Sequence, residues 1–341
     1  MKAAVLEAVG KLAVKEVPTP KPKADELLVK VAACGVCGTD VKLFHGDYQA
    51  QYPVILGHEF AGEVAAVGPD VASFKVGDLV TSDPNESCGK CDWCRAGQSV
   101  SCGSLAGYGV FCDGAFAEYI RIREASAYRL PEDLPLETAC FVEPVACAVH
   151  GADCAQYRCG DAAVIVGAGP MGQLHIQLAA ASPIRKLIVV EPNADRATIA
   201  RKAGADVVID PTACDAVQAV KDETGGLGAE VVVDVVGIPK VLEASLRMVK
   251  NWGRVVIFGL HPQSATVSVS PFDLLTRHIT VIGAWVNPYT TRRAIHCLAS
   301  GKVKVDYMVT TRLPIDRALE GINLTDKRPP GFLKALIVPG K

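Results

Sequence analysis

Residues 162–172 read AAVIVGAGPMG. Five apolar residues run into Gly167-Ala168-Gly169-Pro170-Met171-Gly172, a G-x-G-x-x-G turn, and the helix-like run MGQLHIQLAAAS follows. The first glycine allows a tight turn, the second lets a pyrophosphate approach the backbone, and the third lets the helix pack on the strand. The helix that opens at Pro170 offers free N–H groups from Met171 onward, and the positive end of its dipole, to phosphate. The next apolar run, KLIVVE, ends on Glu191. A carboxylate there can accept from both adenosine ribose hydroxyls and repels a 2′-phosphate, which favours NAD over NADP. Arg196, five residues on, is the group that could instead accommodate that phosphate.

Outward from this turn the texture is regular. AAVIV, KLIVVE, DVVID, EVVVDVV, GRVVIFG and ITVIGAW alternate with helical runs such as ADRATIARKAG and PKVLEASLRMVK. Six apolar strands with helical crossovers predict a doubly wound parallel sheet over residues 148–287. Residues 1–147 read differently. AAVLEAV, ELLVKVAA, AGEVAAVG, GDLVTSD and AFAEYIRI are short strands divided by Gly and Pro turns, and one helical stretch, LETACFVEPVACAVHGAD, leads out of them. Residues 288–341 form a C-terminal return to the first domain.

Length and charge bound the function. The chain has 341 residues, half of them hydrophobic, and 35 basic against 37 acidic residues leave a net charge of −2. That is enough for two cores. No basic block points to nucleic acid, and no apolar run of ~18–20 residues points to a membrane span. Thirteen cysteines without a secretory signal indicate a reducing, cytoplasmic setting.

Four of those cysteines lie within residues 85–104, NESCGKCDWCRAGQSVSCGS. Cys88, Cys91, Cys94 and Cys102 have the spacing C-x2-C-x2-C-x7-C, which suits a closed tetrahedral zinc site. An iron–sulfur run needs a shorter last gap and then a proline, and disulfides need an oxidising compartment. A closed site leaves no open coordination position, so the lobe 85–103 is a staple. A second group is spread more widely. Cys37 sits in CGVCGTD, His58 and Glu59 in GHE, and Glu143 inside the apolar run FVEPVACAVHG. A thiolate, an imidazole and a carboxylate can hold an open zinc. A lone buried carboxylate such as Glu143 is costly unless a metal or donor meets it.

Taken together these motifs resemble the zinc-dependent medium-chain alcohol dehydrogenases over nearly the whole chain. The Glu143-Pro144 pair is similar to the variant of the sorbitol and polyol dehydrogenase branch. The resemblance implies an α/β fold made of a GroES-like, mainly-β catalytic domain and a Rossmann domain. It implies two zinc ions per chain, one catalytic and one structural, with NAD, and a homotetramer. Cys37 and His58 become ligands of the catalytic zinc, and Glu59 and Glu143 the third ligand and its alternate, in an order the motif leaves open. Asp40 orients His58, and Thr39 bonds the substrate hydroxyl. The implied chemistry is hydride transfer from a secondary alcohol to the nicotinamide, in a cleft between the domains. The proton leaves through Thr39, a ribose hydroxyl and then Lys42 or solvent. Tyr48, Phe111 and Trp285 are candidates for the pocket wall. Two departures stand out. Lys42 occupies the place of the relay histidine of classical members, with His45 nearby, and Val286 and Asn287 follow Trp285 where animal sorbitol dehydrogenase has an arginine. The substrate expectation is therefore a small polyol or sugar alcohol, with threonine or a simple secondary alcohol as alternatives. A non-catalytic dinucleotide-binding protein is the alternative of another class, and the intact set Cys37, His58, Glu59 and Glu143 argues against it.

Overall fold

The computed structural model describes residues 1–340. The chain divides into two compact units, Met1–Ala146 with Asn287–Lys341, and Cys147–Val286.

The second unit is built on a six-stranded parallel sheet. Its order is Val207–Ile209, Lys186–Val190, Ala162–Val166, Ala229–Asp234, Val249–Ile257, Thr280–Gly283. All five residues of Ala162–Val166 are buried, as helices on both faces of a parallel sheet require. Strand order reverses at this strand, so its carboxyl end, beside that of Ala229–Asp234, is the switch point where such sheets bind ligands. The helix Pro170–Ala180 starts there, with Pro170 in its first turn, where the missing N–H costs nothing. Two short helices, Ala216–Asp222 and Pro271–Thr276, were not legible as periodic runs. Asp215 and Ser270 cap them through side-chain oxygens. The sixth strand is an edge, and its exposed Val281 has Phe272 and Leu275 as exposed neighbours in sequence.

In the first unit, a mixed sheet orders Ala127–Arg129, Leu79–Ser82, Glu59–Val67, Glu26–Gly35, Lys334–Ile337 and Val309–Leu313, and Tyr119–Arg123 also pairs with Glu26–Gly35. The C-terminal strand joins by antiparallel pairing of Leu336 with Gly35. On its other side Gly35 pairs with Glu59. A three-stranded sheet, Lys11–Glu16, Lys2–Ala8 and Val54–Ile55, completes the core around Leu6, Phe60, Phe116 and Ile337. The stretch 136–153 is two helices, Leu136–Ala139 and Val142–Ala155, rather than one. Pro144 has no N–H for the carbonyl of Cys140, so the ladder breaks there. The expected strand AFAEYIRI begins only at Tyr119, and Ala117 makes an isolated bridge to Ala3. None of the helices among the described residues is long and apolar enough to cross a membrane.

His175, on the helix Pro170–Ala180, is fully buried with neither ring nitrogen hydrogen-bonded, edge-on to Phe258. Burial pushes its pKa down to about 3. The unfolded chain therefore binds a proton that the folded chain refuses, and stability declines as pH falls below ~6.5. At pH 5 this one residue costs about 2 kcal/mol, on the order of 1.4 kcal/mol per unit of pH below 6.5. His175→Leu is expected to flatten the melting temperature of the protein between pH 7 and pH 5. Equal losses in the two proteins over that range would contradict the neutral, buried assignment.

Candidate metal and dinucleotide sites

The helix Gly38–His45 begins at Cys37 because an acid three positions in reaches back to it. Asp40 Oδ2 accepts the backbone N–H of Cys37 at 2.8 Å, half of a capping box. The other oxygen, Oδ1, accepts the N–H of Gly57 at 3.3 Å and lies 3.7 Å from His58 Nδ1. Fully buried Asp40 thus ties the helix start to the GHE turn. Burial raises its pKa, and the His58 charge opposes that shift.

Around this tie, Cys37 Sγ, a His58 ring nitrogen and a Glu59 carboxylate oxygen lie within 4.8 Å of one another. His58 and Glu59 are buried, and His58 Nδ1 faces Asp40 Oδ1 at 3.7 Å without a hydrogen bond. A sulfur, nitrogen and oxygen set at this spacing fits a zinc ion with an open position. Burial alone would lower the pKa of His58, but Asp40 and Cys37 outweigh it and hold the imidazole well above its ordinary value. Protons and a metal therefore compete for this nitrogen. Glu143 is buried in the first turn of Val142–Ala155. Its charge also reaches His58, yet it stands outside the three-atom convergence. Thr39 Oγ1 lies 3.7 Å from Cys37 Sγ. Lys42 is half-buried on the same helix. Burial pulls its ammonium below the ordinary lysine value, while Asp47 and Cys37 pull the other way.

One partner escaped sequence reasoning. Lys334, near the end of the chain and itself buried, places Nζ 2.5 Å from Glu59 Oε2. Burial works against its charge, but Glu59 and Cys37 keep its pKa above the ordinary range. A Cβ at position 35 would stand 2.1 Å from Glu59 Oε2 and 3.0 Å from Lys334 Cε, so glycine there makes room for the pair. The signal was a single charge inside the apolar run GFLKALIV, the same signal that singled out Glu143.

Cys88, Cys91, Cys94 and Cys102 form a second convergence within 4.8 Å. Cys91 and Cys94 sulfurs are 3.4 Å apart and those of Cys88 and Cys94 4.0 Å, far beyond a disulfide and close to the ~3.8 Å edge of a tetrahedron with Zn–S near 2.3 Å. Backbone N–H groups of Lys90 and Cys91 hold the Cys88 thiol low, to about 6. Of the pocket-wall candidates, Phe111 lines a cleft of about 820 Å³ with Met1, Tyr108 and Arg121, whose walls include none of the Cys37 group. Tyr48 packs on the core of the first unit, and Trp285 is half exposed. His45 pairs with Asp326 at the surface.

In the second unit, Glu191 is buried, its Oε2 accepting the N–H of Ala168 at 2.6 Å and its Oε1 that of Asn193 at 2.9 Å. The acid is thereby anchored to the glycine turn itself. A Cβ at Gly172 would lie 2.1 Å from the Gly167 carbonyl, whereas one at Gly169 would meet nothing within 4 Å. The turn is closely packed behind Gly172 and open in front of Gly169, which fits a pyrophosphate. Arg196 donates its backbone N–H to Asn193 Oδ1, the cap of the helix Ala194–Lys202.

Comparison with known proteins agrees with this geometry. Residues 23–132 match the alcohol dehydrogenase GroES-like domain, and residues 170–300 the zinc-binding dehydrogenase domain. D-arabinitol dehydrogenase 1 of Uromyces fabae is 34% identical over 302 residues, 88% of this chain and 86% of that protein. L-threonine 3-dehydrogenase of Pyrococcus horikoshii is 38% identical over 304 residues, 86% of each. The NADP-bound structure from Sinorhizobium meliloti 1021, assigned as a zinc-binding dehydrogenase, superposes with a TM-score of 0.96 at 38% identity, covering 99% of both chains.

Truncating one member of a buried ion pair strands the other and costs about 3–5 kcal/mol. Lys334→Met is therefore expected to lower stability to denaturant by that order, and Glu59→Gln in the same chain to restore most of it. A loss below ~1 kcal/mol in the single variant would contradict the pairing.

Proposed function

Because this chain belongs to the zinc-binding alcohol dehydrogenase family, we propose that it oxidises a secondary alcohol of a small polyol or sugar alcohol to the ketone, with NAD as acceptor. It is an oxidoreductase that uses zinc and a nicotinamide dinucleotide. The observation that carries the reading is the convergence of Cys37, His58 and Glu59 within 4.8 Å, in a chain that also has the anchored Glu191 at its glycine turn. Cys37, His58 and a carboxylate would hold the catalytic zinc, and Cys88, Cys91, Cys94 and Cys102 the structural one. Zinc supplies Lewis acidity that makes the substrate hydroxyl a stronger acid, and the dinucleotide supplies the hydride acceptor.

The chain's own residues do the rest. Asp40 fixes the start of the Cys37 helix and faces His58 Nδ1, keeping that ring in place. The Lys334 ammonium holds Glu59 by one oxygen, which makes Glu143 the better candidate for a permanent third ligand and Glu59 the alternate. Thr39, beside Cys37, takes the hydroxyl proton. Lys42 lies three residues further along the helix, where burial lowers its pKa from the ordinary lysine value, and it passes the proton on to solvent. For the dinucleotide, a carboxylate pinned by two backbone N–H groups cannot swing aside from a 2′-phosphate. That supports NAD here, although the Sinorhizobium meliloti relative holds NADP. Threonine is the second substrate reading, supported by the 38% identity to the Pyrococcus horikoshii threonine dehydrogenase. A cytoplasmic homotetramer is the assembly and setting we expect.

The test is NAD reduction across pentitols, hexitols, threonine and simple secondary alcohols, with Cys37→Ser as control. Polyols are expected to give the highest kcat/KM, and Cys37→Ser to abolish turnover while bound zinc falls from two ions to one per chain. Two zinc ions retained in Cys37→Ser would remove Cys37 from the metal site, turnover surviving in a variant shown to lack one zinc would show that the ion held by Cys37 is not the catalytic one, and threonine outrunning every polyol would replace the substrate class. Lys42→Ala should slow turnover at neutral pH, keep both zinc ions, and recover in part with small amines. An unaltered pH–rate profile would take Lys42 out of the proton path.

A further inference from the structure

Asp234 ends the fourth strand of the parallel sheet, next to the glycine turn, and is fully buried. Its Oδ1 accepts the N–H of Val236 at 2.8 Å and shapes the turn 235–237. Its main-chain carbonyl accepts from Phe258 and Gly259, at 2.9 and 2.8 Å, so the turn after the fifth strand hangs on the same residue. That second turn carries His261. The remaining carboxylate oxygen, Oδ2, has no hydrogen-bond partner, and neither has His261 Nε2, 4.0 Å away.

The standoff has a chemical cause. His261 Nδ1 lies 2.9 Å from the Gly259 carbonyl. A carbonyl only accepts, so the proton of the neutral ring sits on Nδ1 and Nε2 presents a lone pair. Two acceptors then face each other, and a single proton between them would convert the standoff into a charge-assisted hydrogen bond. The other residues of the two turns, Val235, Val236, Gly237, Phe258, Gly259, Leu260 and Pro262, carry no ionisable group. His175, packed behind Phe258, is held neutral by burial. Asp234 and His261 therefore answer to each other. Around them Val236, Ile238 and Leu260 are exposed apolar side chains at the carboxyl ends of the strands. Glu191 marks the adenosine side of the switch point, so these two turns lie on the other side, where a flat nicotinamide ring would find apolar contact.

We infer that Asp234 and His261 are a positioning pair for the nicotinamide half of the dinucleotide. The pair closes through one shared proton when the nucleotide is bound, and so fixes the turn 258–262 against the turn 235–237. The inference rests on the dinucleotide reading of the glycine turn and adds two residues that do not touch the reacting atoms.

Titration calorimetry of the zinc-loaded protein with NADH and with ADP-ribose, which lacks the nicotinamide, separates the two halves. His261→Ala should weaken NADH about tenfold, the worth of one charge-assisted hydrogen bond, and leave ADP-ribose within about twofold. In Asp234→Asn the amide keeps the bond to Val236 and can donate to Nε2 without an added proton, so NADH affinity should be retained. NADH binding unchanged in His261→Ala, parallel weakening of both ligands, or loss of NADH affinity in Asp234→Asn would each overturn the pair. Failure of the unmodified protein to bind ADP-ribose would overturn the dinucleotide reading itself.

Discussion

Glu59 and Lys334 bring opposite charges within 2.5 Å in a place where almost no water reaches either. Each alone would cost several kcal/mol in such surroundings, and together they are tolerable only at close range. That requirement reaches through the first unit. Glu59 opens the strand that follows His58, and Lys334 opens the strand that pairs beside Gly35. The C-terminal segment must return to this sheet for the carboxylate to have its partner, and Gly35 must lack a side chain for the two to meet. The same carboxylate faces Cys37 and His58. The Lys334 ammonium thus shares this carboxylate with the Cys37 and His58 group.

The two cysteine-bearing sites show how chemistry follows from composition. Four sulfurs on one lobe, with backbone N–H groups favouring a thiolate at Cys88, make a closed set with nothing left for substrate. One sulfur with an imidazole and a carboxylate, drawn from segments some twenty residues apart, makes an incomplete set. In the proposed reading, that incompleteness leaves a coordination position for substrate. Asp40 stabilises that arrangement by satisfying two N–H groups with one buried side chain.

Local features were legible in the sequence because their causes are local. The glycine turn, Glu191 at the next strand end and the cysteine spacing each act within a few residues. GHE and CGVCGTD were readable as donors, though their meeting is a product of strand pairing. Lys334 lies more than 270 residues from Glu59, and only the antiparallel register at Gly35 brings them together. Asp234 and His261 meet because parallel neighbours end at the same edge of a sheet. The helix break at Cys140–Phe141 was hidden because apolar periodicity continues across it, while the cause is the one N–H that Pro144 lacks. Phe111 was a pocket candidate by residue type alone, and it lines a cleft with Met1, Tyr108 and Arg121.

The central claim is that one sulfur-poor and one sulfur-only zinc site coexist in each chain. X-ray absorption at the zinc edge of fully loaded protein measures this directly. Five cysteine ligands shared by two ions, four from the lobe and Cys37, predict an average sulfur coordination midway between two and three per zinc, with nitrogen and oxygen completing the shell. One zinc per chain with sulfur ligands alone would contradict the account, because it would leave Cys37, His58 and Glu59 without the ion their geometry fits.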